Sequence, residues 1–102
     1  MKKFTNMIRI KGDDEKAMKQ FKYTIRDPLG IHARPAGLLV KEVSKFSSKI
    51  TIANEEKTVD AKKIFSIMQL AVKQGQTVTI TIEGDDEGEA LQALEEFMEK
   101  TW

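Results

Sequence analysis

From residue 21 onward the spacing of apolar residues switches repeatedly between the strand period of two and the helix period of about 3.6, and few folds satisfy that alternation. Phe21, Tyr23 and Ile25 alternate with Lys22, Thr24 and Arg26, the pattern of a half-buried strand. Asp27, Pro28 and Gly30 break it. From Ala33 the period lengthens. Ala36, Leu39, Val40, Val43 and Phe46 recur at helical spacing, with Lys41, Glu42 and Lys45 elsewhere on the wheel. Ile50 and Ile52 restore alternation, and Asn54, Glu55 and Glu56 suit a turn into a short strand over 58–61. A second helix carries Ile64, Phe65, Ile67, Met68 and Ala71 as its apolar stripe, with Ile67 and Ala71 as core and Gly75 at the C-cap. Val78, Ile80 and Ile82 predict another strand. The last helix starts near Asp85, Asp86 and Glu87, with Ala90, Leu94, Phe97 and Met98 as its buried face.

Each strand is apolar on one side and each helix has one apolar stripe. The economical packing is a two-layer α/β sandwich, βαββαβα, with a four-stranded, mainly antiparallel sheet and three helices on one face. Residues 1–20 stand apart as an N-terminal extension, and residues 21–102 form the domain.

Composition removes several classes of function. The chain has 102 residues, enough for one core, and its 17 basic and 16 acidic side chains leave a net charge of +1. That balance argues against a nucleic-acid partner. With no cysteine, disulfides, thiolate chemistry and zinc–thiolate sites are excluded. No apolar run approaches the roughly 20 residues that span a bilayer. The opening "MKKFTNMIRIKGDDEKAMKQ" reads poorly as a secretory signal, so a cytoplasmic protein without membrane insertion is expected. Ser44, Ser47, Ser48 and Ser66 lie in no nucleophile motif.

The only histidine, His32, lies in "DPLGIHARPAG". It falls at or beside the N-cap of the first helix, where free N–H groups point outward and the dipole is positive. Such an end favours anions, phosphate above all. Pro35 fits the first turn, and Gly30 frees the chain before it to turn tightly. Arg34 adds a fork able to grip phosphate oxygens. A nucleophilic nitrogen, N–H donors and a guanidinium describe a place where phosphate could be held on imidazole. On these residues alone, a simple anion site or a hydrogen-bonding histidine fits as well. A lone histidine without clustered carboxylates gives no metal site, and no cofactor is expected.

"GIHARPAGLLVKE" resembles the active-site segment of the histidine-containing phosphocarrier (HPr) family of the bacterial phosphoenolpyruvate:sugar phosphotransferase system. The similarity extends over residues 21–102, through "AKKIFSIMQLAVKQG" and "VTITIEGDDEGEALQALEEFM". It implies an open-faced β-sandwich of the same element order. It implies a carrier rather than an enzyme, a monomer that takes a phosphoryl group from Enzyme I on Nδ1 of His32 and passes it to a sugar-specific IIA component. Arg34 would steady the phosphate, with backbone N–H groups of Ala33 and Arg34 beside it. Ile64, Phe65 and Met68 would form an exposed apolar docking patch, ringed by Lys41 and Lys62.

The sequence departs from the family at three places. The regulatory serine at the start of the second helix is replaced by Lys63, so there is no regulatory serine at that position, and Ser66 lies a turn further on. A small polar residue before the glycine is replaced by Leu29. Residues 1–20 extend beyond the usual start, and Met18 opens a segment more like a family N-terminus. Two alternatives stay open: a regulatory HPr-like paralogue controlling another protein, and a non-catalytic α/β interaction module. The second is disfavoured by the balanced charge and the lack of aromatic pairs on the expected sheet face.

Overall fold

The computed structural model describes residues 18–102, together with the backbone of residues 8–10. The elements are β1 (Ile8–Ile10), β2 (Met18–Thr24), α1 (Ala33–Val43), β3 (Lys49–Ala53), β4 (Thr58–Asp60), α2 (Ile64–Gln69), β5 (Thr77–Glu83) and α3 (Glu87–Thr101). The sheet order is β1-β2-β5-β3-β4, with every neighbouring pair antiparallel. The four strands expected from alternation are β2, β3, β4 and β5, and the three helices fall in the expected places.

Period-two patterning puts the apolar residues of the sheet on one face. Phe21 is opposite Ile80, which is opposite Ile52, while Ile82 is opposite Ile50. All five side chains are buried, and they pack with Ala36, Leu39, Ile67, Ala90, Leu94 and Met98 from the helices. The intervening residues make the other face polar. Thr81 lies opposite both Gln20 and Thr51, and Gln20 Nε2 donates to Thr81 Oγ1 at 2.9 Å. Thr24 and Thr77 share a hydroxyl hydrogen bond of 2.8 Å. A sheet with one wet face needs such a surface.

Several expectations are corrected. The strand read from Phe21 begins at Met18, and β1 adds a fifth strand, with Ile8 opposite Gln20 and Ile10 opposite Met18. Residues 1–7 and 11–17 of the expected extension lie outside the described residues. Helix α1 stops at Val43, so Phe46 reaches the core from the following loop and is half-buried. Helix α2 is only six residues long, and Leu70 rather than Gly75 is its C-cap. Ala71 is therefore exposed in a left-handed turn, φ +52°, instead of in the core; Leu70 and Val72 are buried in its place. The short helix ends early because the chain must reverse there, and the turn imposes about 1–2 kcal/mol of strain on an L-residue. On α3, Leu91 is buried and Phe97 only half-buried, its ring edge meeting Trp102 at a centroid distance of 6.3 Å.

Two polar clusters tie the layers together. Trp102 is buried, and its backbone oxygen accepts from the Tyr23 hydroxyl at 2.6 Å and from Arg26 Nε at 3.0 Å. Burial raises the Tyr23 pKa, against the pull of Arg26. At the other end of α3, the N-cap carboxylate of Asp86 accepts the Ser47 N–H at 2.9 Å, the Ser48 N–H at 3.0 Å and the Ser48 hydroxyl. Gly84, at φ +155°, is required here, since a Cβ would come within 2.7 Å of Ser48 Cα.

The Ser48 hydroxyl bond, followed by the Ser47 amide bond, lowers the Asp86 pKa from 3.8. A carboxyl depressed on folding stabilises the protein above its unfolded pKa, and that stability is lost as pH falls through the folded value. Asp86→Asn should thus lower the urea midpoint near neutral pH. The gap from wild type should shrink as pH is taken below 3.8. Urea titrations across that range check the sign.

Candidate functional site

The loop from β2 to α1 is built to hold one backbone conformation. Leu29 N–H donates to Asp27 Oδ1 at 2.9 Å, and Gly30 N–H donates to the Asp27 carbonyl at 2.8 Å. This is a side-chain-assisted turn of the kind Asp favours. Gly30 has φ +69°, and a Cβ there would lie 2.3 Å from the Val72 carbonyl oxygen. That same oxygen accepts the Ile31 N–H at 3.0 Å. With Ile31 buried beside it, the segment is locked to the chain beyond α2.

His32 is the N-cap of α1, with extended backbone. Ala36 N–H closes the first helical bond to the His32 carbonyl at 3.0 Å. Pro35 is buried and has no N–H, so Ala33 and Arg34 supply the amides that precede that bond. No side-chain hydrogen bond caps this end and its first turn has no acidic residue. The imidazole is about one-third exposed, and its Nε2 faces Asp27 Oδ2 at 3.5 Å. Arg34 is exposed on the same first turn. The structure therefore gathers His32, Ala33 and Arg34 at one accessible helix end, with the Asp27 carboxylate beside the imidazole. Among the described residues no group of three His, Cys, Asp or Glu side chains could hold a metal ion.

The expected docking residues divide. Phe65 is 78% exposed and Met68 38% exposed, an outward apolar pair on α2. Ile64 is half-buried and packs toward α1, where its Cδ1 would lie 3.6 Å from a Cβ on Gly37. Lys62 is not a free rim charge, because its Nζ donates to the Phe46 carbonyl at 2.8 Å. Lys41 is exposed in the last turn of α1, roughly 13 Å along the axis from His32 at 1.5 Å per residue. Lys63 is exposed at the N-cap of α2 and makes no capping bond.

Three residues carry no site role in the sequence reading. Leu29 on the loop is 71% exposed and Leu38 on α1 45% exposed, two further outward apolar side chains. Leu38 could have been found, since it falls outside the Ala36–Leu39–Val43 stripe. Asp27 reads in the sequence only as a strand breaker, and nothing in its spacing from His32 signals that their side chains meet.

Residues 19–100 match the family described as the PTS HPr component phosphorylation site. The chain is 48% identical over 77 residues to phosphocarrier protein HPr of Lysinibacillus sphaericus, covering 76% of this chain and 88% of the relative. It is also 48% identical over 71 residues to the HPr-like protein Crh of Halalkalibacterium halodurans, covering 70% and 84%. A solved histidine-containing phosphocarrier protein of Mycoplasma superposes with a TM-score of 0.78 at 45% identity, covering 80% of this chain and 93% of that one.

The Gly30 geometry yields a direct test. Gly30→Ala should cost on the order of 2–4 kcal/mol, from left-handed strain plus the clash with Val72. Thermal or urea denaturation measures that loss, and amide shifts of Ile31 and His32 should move further than those of α3.

Proposed function

The chain belongs to the HPr family, and on that premise we propose that it is a cytoplasmic phosphocarrier that accepts a phosphoryl group on His32 from phosphorylated Enzyme I and hands it to a IIA component of a sugar permease. The observation that carries this reading is an accessible imidazole on an uncapped helix end beside two amides and an arginine. The lone pair of Nδ1 attacks phosphorus in line, the bond from phosphorus to the donor breaks, and the group leaves later by the reverse sequence. Such transfer depends on positioning and on neutralising charge over the equatorial oxygens. Ala33 and Arg34 N–H groups and the Arg34 guanidinium supply that neutralisation. An open site suits a carrier, because a deep cage would retain the phosphate.

Docking falls to Phe65 and Met68, with Ile64 at the base of the patch. Methionine adapts to several partner surfaces. Lys41 contributes a steering charge, Lys62 chiefly holds the Phe46 carbonyl, and the monomer presents one such face. Likeness to an HPr-like protein supports a regulatory role as a second reading. The complete His32–Ala33–Arg34–Pro35 set favours the carrier. Lys63 has no hydroxyl to esterify, so a kinase acting at that family position should leave the protein unmodified.

Incubation with phosphoenolpyruvate and Enzyme I should add one phosphoryl group, labile in acid and stable in base, by intact mass. The adduct should vanish in His32→Ala. An acid-stable adduct overturns the assignment. Arg34→Ala should slow transfer by about tenfold, less than the 10²–10³ typical of a buried oxyanion donor, with the melting temperature nearly unchanged.

A further inference from the structure

The two oxygens of Asp27 have different duties. Oδ1 is engaged by the Leu29 N–H at 2.9 Å, which fixes the side-chain rotamer. Oδ2 is thereby aimed at Nε2 of His32, 3.5 Å away. The neighbouring cation, Arg26, does not compete for the carboxylate, because its guanidinium bonds to the backbone oxygens of Trp102 and Glu99 and stacks over Tyr23. Asp27 is about three-quarters buried, so its field is screened on few sides. The other charge on the helix end is the exposed Arg34.

We propose that Asp27 is a positioning residue for His32, holding the ring proton on Nε2 and leaving the Nδ1 lone pair for phosphorus. The proposal rests on the phosphocarrier reading. A carboxylate accepts hydrogen bonds and cannot donate, so the Nε2–H tautomer is the one it favours. When Nδ1 forms its bond to phosphorus, the donor bond breaks and the ring, still holding its Nε2 proton, becomes cationic. The carboxylate then faces an imidazolium, and a 3.5 Å approach tightens as the charge develops. On onward transfer the electron pair of the N–P bond returns to Nδ1 and the neutral tautomer is restored. The proton never leaves Nε2.

Asp27→Asn separates this role from turn-making. Its amide oxygen can still accept the Leu29 N–H, which turns the NH₂ toward Nε2 and makes that nitrogen an acceptor. The ¹⁵N shifts of the neutral His32 ring, read in alkaline buffer on full-length unphosphorylated protein, should move toward the Nδ1–H tautomer. Acceptance from phosphorylated Enzyme I should slow by about ten- to a hundredfold, the scale of one hydrogen bond to a charged group. Asp27→Glu, which keeps a carboxylate, should recover the wild-type tautomer at least in part. Unchanged ring shifts in Asp27→Asn overturn the proposal, as does an equal loss of rate in Asn and Glu variants with unaltered tautomers. A wild-type chain that never forms phosphohistidine removes the carrier reading instead, and the tautomer measurement stands apart from that result.

Discussion

The hydrogen bond from Ile31 N–H to the Val72 carbonyl, 3.0 Å long, joins two segments forty-one residues apart in sequence and fixes where α1 begins. It depends on Gly30, whose missing side chain is what allows that carbonyl to approach. It depends equally on the short α2, because Val72 reaches this place only if the chain reverses at Ala71. The strain at Ala71 and the tight approach at Gly30 are thus two sides of one closure. Strained backbone gathered near a functional loop and held by the surrounding core is a common arrangement.

That closure separates rigid from open parts of the molecule. Pro35, Ala36, Leu39 and Val43 bury one stripe of α1, the last three in the core shared with the sheet. The helix cannot rotate without exposing them, so His32, Ala33 and Arg34 have one direction to face. Phe65 and Met68 remain outside because Ile67 and Leu70 already fill the core beneath α2. Exposure of that pair follows from having more apolar residues in a short helix than one buried stripe can hold.

The regular parts were legible from period alone. Val78, Ile80 and Ile82 alternate strictly and are buried as expected, and His32 falls on the helix cap its Gly and Pro neighbours imply. Errors collect where tertiary contacts decide. Ala71 fits a helical stripe by spacing, but the chain turns to bring Val72 to Gly30, and no local signal marks that demand. Phe46 keeps the phase of α1 although the helix has ended, since a loop side chain can reach the same core. Asp27 and Lys62 show the same limit for polar groups: their partners, His32 Nε2 and the Phe46 carbonyl, come from folding and not from sequence spacing.

Strand order carries a consequence for synthesis. The sheet places β5, residues 77–83, between β2 and β3, so the two earlier strands have no contact ladder with each other. A nascent chain that has emerged as far as Gln69 possesses α1, α2 and the β3–β4 hairpin, but not the strand that unites β2 with that hairpin. It also lacks the Val72 carbonyl that seats the loop before His32. Non-local pairing of this kind delays closure until β5 has left the ribosome. The imidazole is translated well before Val72 and β5, yet its setting is assembled among the last contacts to form.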